Sequence, residues 1–283
     1  MPYGSHDWGV CVGSLDLLQE QPAFDVIQAV AETAGGRGAE EVRDLVFRVA
    51  HENFDLVIMN PPFTRHGVHE GDRTQVHNPA FAAFGADEEE QNRLSARLSD
   101  LAEGGRAHGH AGLASYFAEL AHRKLAPAGT LALVLPLSAM SGMSWDGMRQ
   151  QWRSEYTSIV VVTIAEQSAH TRSFSADTGI AECLLVARKS RPAADPRATF
   201  VILSGQPKNT LEGELVAQAI SQVIAQPGIR RLEDGPFGGS RIILGATLVG
   251  EALDCPIPAE GAWQTSPEER PRLQSSCPRP SRL

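Results

Sequence analysis

The sequence has no surplus of positive charge. Lysine and arginine together number 25 against 34 aspartates and glutamates, a formal net charge of −9. A stand-alone DNA-binding protein carries a basic face, because neutralising phosphates supplies most of its non-specific affinity. If this chain acts on nucleic acid, another chain or region does much of the holding. Cysteine is scarce as well. Cys11, Cys183, Cys255 and Cys277 are scattered, and none forms a CxxC pair. That argues against a zinc site and leaves free thiols, the state expected in a reducing compartment. No apolar run approaches the length that crosses a bilayer, and no secretory signal opens the sequence. The expectation is a cytoplasmic protein with no membrane partner. Internal repeats are also lacking.

What remains is a foldable chain. At 283 residues and 42% hydrophobic content it is large enough for one substantial core and a second small unit. Apolar runs alternate with helical patterns. "VCVGSLDLL" (10–18) reads as a strand and turn entering a helix, and 22–38 and 40–53 read as helices. "FDLVIMN" (54–60) reads as a buried strand. Residues 64–112 are polar, with a helical stretch at 87–103, and read as a long insertion at the mouth of a site. Residues 113–140 form the clearest unit: a helix to about Leu125, a Pro127-Ala128-Gly129 turn and a strand ended by Pro136. A helix (144–156), two strands (158–165, 181–189), a linker (190–198), a strand (199–204) and a helix (210–225) follow. "RIILGATLVG" (241–250) reads as one more strand. Continuous apolar strands between helices imply a parallel or mixed sheet covered by helices. Residues 191–254 are expected as a small accessory α/β unit. From Cys255 the chain is rich in Pro, Ser and Arg, which predicts a disordered tail.

The informative stretch is "FDLVIMNPPF" (54–63). An apolar strand stops on a polar amide, two prolines stiffen the chain, and an aromatic ring follows. In open α/β sheets ligands sit beyond the carboxyl ends of the strands, which is where Asn60 falls. Its side-chain oxygen and the Pro61 carbonyl are two acceptors side by side. That pair suits an NH2 group with two hydrogens. Accepting both favours a tetrahedral nitrogen whose lone pair is free to attack an electrophile. Pro61 and Pro62 fix φ and hold the carbonyl. Phe63 offers a flat face to a flat substrate. The work is positioning and electrostatics, with no covalent intermediate on a side chain. An ordinary Asn-Pro turn is the alternative, and it does not explain the buried strand feeding it.

The motif resembles the catalytic motif of amino-group methyltransferases that use S-adenosylmethionine. With "GLASYFAELAHRKLAPAGTLALVLP" (112–136), "SGMSWDGMRQQW" (141–152) and "SFSADTGIAECLLVARK" (173–189), the wider pattern resembles adenine-specific (N6) DNA methyltransferases of restriction–modification systems. The resemblance is strong over roughly 1–190. It implies a Rossmann-like class I methyltransferase sheet, α/β in class, with 64–112 as an insertion. It implies a target adenine flipped out of DNA, its N6 held by Asn60 and the Pro61 carbonyl, its ring stacked on Phe63. Phe174 is implied on the other face of the base, a core role being the alternative. Asp16, in "VGSLDLL", is implied as an acceptor from the cofactor's adenine, a helix N-cap being the alternative. DNA and a specificity, restriction or N-terminal methyltransferase subunit are the implied partners.

The family's glycine-rich cofactor turn and ribose-binding acid belong ahead of the GSLD segment. "MPYGSHDWG" contains neither, so the expectation is a sheet lacking its first strands, with weak cofactor binding and no activity by the chain alone. "AGGRG" (34–38) follows a helix and reads as a C-cap and turn. "DGPFGGS" (234–240) resembles the cofactor loop of permuted relatives, but a strand, not a helix, is expected after it. His66, His69, His77, His108 and His110 lack partners at metal-ligand spacing, so no metal is expected. The run Asp87–Glu90 reads as a solvated helix start. Three other readings stay open. One is an inactive remnant or accessory subunit. Another is a methyltransferase acting on RNA or on protein glutamine. The third is a half-enzyme completed by a separate N-terminal piece.

Overall fold

The computed structural model describes residues 54–61, 63, 96, 102–165, 174, 180–192, 195–225, 235 and 238–263. They form a seven-stranded mixed sheet of order β1-β2-β4-β3-β5-β7-β6, with helices on both faces. The strands are β1 (Phe54–Met59), β2 (Leu125–Pro136), β3 (Tyr156–Ile164), β4 (Glu182–Lys189), β5 (Arg197–Leu203), β6 (Ser240–Leu244) and β7 (Thr247–Pro256). The helices are α1 (Leu113–Lys124), α2 (Asp146–Glu155) and α3 (Thr210–Ile224). Pairing is parallel for β1 with β2 and for β3 with β5, and β4 runs antiparallel between β2 and β3. The carboxyl ends of β1, β2, β3 and β5 therefore share one edge of the sheet. The α/β class expected from the alternation is the class observed.

Strand periodicity sorts the core into two layers. On one face Leu131, Leu133 and Leu135 of β2, Cys183 and Leu185 of β4 and Ile159 and Val161 of β3 meet α1 and α2. α1 presents Ala114, Ala118 and Ala121, fully buried and at helical spacing, so it lies close to the strands. Trp145 and Trp152 fill the space that α2 leaves, tilted together at 6.3 Å. On the other face Val162, Val201, Leu203 and Ile242 meet Val216, Ala219 and Ile220 of α3.

Local chemistry explains the boundaries. Gly112 begins α1 at φ 78, a conformation that favours glycine. His122, Arg123 and Lys124 occupy the last turn of α1, where cations complement the helix dipole. The Lys189 ammonium donates to the carbonyls of His122 and Leu125 at 2.7 and 2.9 Å, satisfying groups that the helix end leaves open. The Pro127-Ala128-Gly129 turn survives as an irregularity in β2, with Ala128 at φ 64. α3 starts on a capping pair: Asn209 accepts from the Glu212 N–H, and the Glu212 carboxylate accepts from the Lys208 N–H.

Three expectations need correction. Residues 191–254 are α/β, but β5 pairs with β3, so they extend the one sheet rather than form a separate unit. "RIILGATLVG" is a hairpin, with β6 and β7 joined through Gly245 at φ 60. The chain from Cys255 to Trp263, expected as the start of a disordered tail, is ordered. Cys255 and Pro256 complete β7, and Ile257 and Trp263 are 5% and 3% exposed in the main core. Both apolar side chains gain by leaving water, whatever the polar composition around them. Arg149 locks this return. Its guanidinium donates to the carbonyls of Ala139 and Gly261 and pairs with Asp146.

Candidate functional site

β1 delivers the motif to the shared carboxyl edge. Its Val57 is buried against the α1 face, and Met59 is half-buried there. Proline cannot donate to a ladder, and the strand stops before Pro61. Asn60 is exposed, Pro61 is buried, and Phe63 is half-buried against the main core. The fixed φ of the buried Pro61 stiffens the backbone next to the exposed Asn60. Pro62 and Asp16 lie outside the described residues.

Phe174 occupies a different wall. It packs against the α3-side cluster with Val160, Val162 and Leu184, whereas Phe63 packs against the α1-side core. Phe63 thus lies on the α1 side and Phe174 on the α3 side of the sheet, Phe174 being tied through Glu182 to the same carboxyl edge. Phe174 is held through its backbone. Its N–H donates to the Glu182 carboxylate at 2.7 Å, and its carbonyl accepts from the Gln206 amide at 3.5 Å. Glu182 is 1% exposed, heads β4 and pairs across the ladder with Pro136 at the end of β2. Sequence reasoning missed Glu182. The available signal was an acid opening the otherwise apolar run "ECLLVA".

Other sequence candidates have local structural roles. His108 Nδ1 accepts from the His110 N–H at 3.2 Å, capping a short turn ahead of α1. Among the described residues no group of three or more His, Cys, Asp or Glu is placed to hold a metal ion. The described glycines of 234–240 bond to one another and to β7. Gly238 N–H donates to Gly235 O, Gly239 N–H donates to the buried Glu251 carboxylate, and β6 follows. A side chain at Gly235 would meet the Glu251 carboxylate at 2.1 Å, so glycine there permits packing. His66, His69, His77, the acidic run at 87–90 and the glycines at 34–38 lie outside the described residues. An open cleft of ≈ 360 Å³ lies on α2, lined by Arg106, Gln150, Gln151, Arg153 and Ser154. None of the motif residues borders it.

The opposite edge of the sheet carries a buried polar cluster. His122 Nδ1 and the Tyr156 hydroxyl are 2.9 Å apart, and His122 Nε2 lies 3.7 Å from Glu155. Burial, then the Lys189 charge, lowers the His122 pKa, with Glu155 and Glu119 opposing. Burial, then Glu155 and Glu119, pushes the Tyr156 hydroxyl up, so it stays protonated. This cluster ties α1 to β3 and lies far along the strands from Asn60.

No protein-family model matches the chain, and no curated protein matches it. Solved structures do. One is a type I restriction–modification methyltransferase subunit from Streptococcus thermophilus, 16% identical, TM-score 0.36, over 61% of this chain and 32% of that one. Another, from Vibrio vulnificus YJ016, is a modification subunit assigned to a type I restriction enzyme. It is 14% identical, TM-score 0.39, over 72% of this chain and 34% of that one. A third is a nuclease-deletion mutant of the Type ISP restriction–modification enzyme LlaGI with a DNA substrate mimic. It is 14% identical, TM-score 0.43, over 63% of this chain and 17% of that one. The chain thus spans about a third of the two modification subunits. So distant a likeness carries no argument for function. Among the described residues no helix is long and apolar enough to cross a membrane.

Proposed function

We propose that the chain carries the target-amine site of a DNA adenine N6-methyltransferase, as one part of a restriction–modification enzyme. One observation supports this above the rest. β1, parallel to β2, ends at the carboxyl edge with Asn60 exposed, Pro61 buried and Phe63 half-buried beside it. In this reading the Asn60 Oδ1 and the Pro61 carbonyl accept the two N6 hydrogens of a flipped adenine. Phe63 stacks on the ring, and Phe174 supports the base from the other side. Holding both hydrogens leaves the nitrogen lone pair pointing away from the acceptors. Methyl transfer would form the N–C bond as the donor's S–C bond breaks, the electron pair staying on sulfur, and the nitrogen would give up one of its protons to solvent water.

S-adenosylmethionine would supply an electrophilic methyl group. The 235–239 turn does not fit its methionine end, because the Gly238 and Gly239 N–H groups are already engaged by Gly235 and Glu251. Asp16 is the residue proposed to meet the cofactor's adenine.

The test is transfer of labelled methyl groups to DNA of mixed sequence. Asn60→Ala should lower the rate by roughly 10²–10³, the usual cost of losing one preorganised polar group. Near-parental turnover in that variant would remove Asn60 from the chemistry. Label appearing in RNA or in protein glutamine instead of DNA would keep the site and change its substrate.

One observation favours a second reading, a chain that works inside an assembly. Leu56 and Ile58 of β1 are 51% and 71% exposed. Among the described residues β1 pairs with β2 alone. Apolar side chains so exposed on one face of β1 form a surface that a partner could cover.

A further inference from the structure

We propose that Glu182 is a positioning residue for Phe174, setting where that ring stands relative to the Asn60–Phe63 segment. The inference rests on the reading of Phe174 as the second wall of the base site, and it names the group that holds that wall. Three observations converge on it. The Glu182 carboxylate accepts the Phe174 N–H at 2.7 Å, the length of a charge-assisted bond. Glu182 is 1% exposed, and a carboxylate is kept at such depth only when well engaged. Its place is also fixed from both sides. It opens β4 opposite Pro136, and the next ladder bond, from Leu137 N–H to Ala181 O at 2.7 Å, pins the chain just beyond.

Alternation along β4 puts Glu182 on the same face as Leu184, which packs against the same buried cluster as Phe174. Phe174 therefore has its ring seated on an apolar floor and its N–H tied to the rim of the same strand. Gln206, beyond the end of β5, completes the hold through the Phe174 carbonyl at 3.5 Å. β2 separates β4 from β1, so the same strand spaces Glu182 from Asn60. The ring is thereby fixed relative to the frame that carries the motif. A neutral side chain of similar size could fill this volume. A carboxylate adds a fixed acceptor for the Phe174 N–H.

The experiment uses the full chain and two duplexes. One carries a single adenine opposite an abasic site, and the other carries thymine there. The ratio of the two affinities is the adenine preference. Phe174→Ala should reduce it roughly tenfold, within the range that base–aromatic stacking supports. Glu182→Ala should reduce it comparably, and Glu182→Gln, which keeps an acceptor oxygen, should restore most of it. The double variant should be no worse than Phe174→Ala alone. Amide hydrogen exchange at Phe174, read by NMR, should quicken in Glu182→Ala and stay slow in Glu182→Gln. That readout and far-UV circular dichroism separate a lost tether from a lost fold. A preference unaffected by Phe174→Ala overturns the base-site reading and the proposal with it. A preference reduced by Phe174→Ala but untouched by Glu182→Ala overturns the proposal alone. So does unchanged exchange at Phe174 in Glu182→Ala.

Discussion

The backbone N–H of Trp263 donates to the carbonyl of Met140 at 2.7 Å, joining the end of the described chain to the turn that follows β2. The Trp263 ring meets Trp152 edge-on at 6.1 Å and is almost wholly buried. Edge-to-face contact is a favoured aromatic geometry. Trp263→Ala should therefore cost about 3–5 kcal/mol, the usual range for deleting a large buried ring. Trp263→Phe should cost markedly less. Urea unfolding followed by circular dichroism measures both. A loss below about 1 kcal/mol for the alanine variant would mean that this segment is not part of the core.

The His122–Tyr156 pair predicts a pH dependence. The neutral tautomer with its hydrogen on Nε2, toward Glu155, leaves Nδ1 to accept from the Tyr156 hydroxyl at 2.9 Å. Burial, and then Lys189, lowers the folded pKa of His122 below the ordinary 6.5. The unfolded chain therefore binds this proton more readily than the folded one. Stability is full above about pH 6.5 and falls as the pH drops toward the folded pKa, where the loss levels off. Urea midpoints between about pH 7.5 and pH 5 should decline in the parent. In His122→Gln the decline should be shallower. An identical slope in both proteins would assign the pH response to other groups.

Cys183 should be inert while the protein is folded. It is fully buried in the main core, and burial, followed by the nearby Glu182 charge, pushes its thiol up to about 12. The thiolate is the reactive form. Alkylation at about pH 8, near the ordinary cysteine pKa, should leave Cys183 unmodified, and brief urea treatment should expose it. Peptide mapping locates the modified sites. Rapid labelling of Cys183 in the folded protein would contradict its placement beneath α1 and α2.

How far the sequence foretold this arrangement depended on how local the signal was. β1, α1, β2, α2, β3 and β4 were legible because uninterrupted apolar runs and a 3.6-residue period are local properties. The pairing of β5 with β3 was not, since no local feature says which strand a later one joins. Gly245 marked a hairpin within "RIILGATLVG", but apolar residues on both sides hid it. Ile257 and Trp263 stood alone among prolines and acids, so composition masked their burial. At the motif, the end of β1 just before Asn60 was legible from an apolar run stopping on a polar residue and two prolines. The tie between the Phe174 N–H and the Glu182 carboxylate is a tertiary contact that spacing alone does not encode.

The motif's aromatic ring should act on substrate rather than on stability. Phe63 is half-buried at the rim of the core, beside an exposed Asn60. A half-buried ring keeps surface that a flat ligand could cover. Losing its stacking would weaken adenine binding by about 1–3 kcal/mol. Phe63→Tyr keeps the flat face and should bind a duplex with adenine opposite an abasic site nearly as the parent does. Phe63→Leu retains apolar bulk but no flat ring, and should lose most of that affinity. Asn60→Ala should bind the same duplex with little change, because its acceptor matters most when the amine nitrogen becomes tetrahedral. Fluorescence anisotropy of labelled duplexes reads all three. Equal affinity for parent, Tyr and Leu proteins would take Phe63 out of the site. A collapse of binding in Asn60→Ala would show instead that Asn60 grips the resting base.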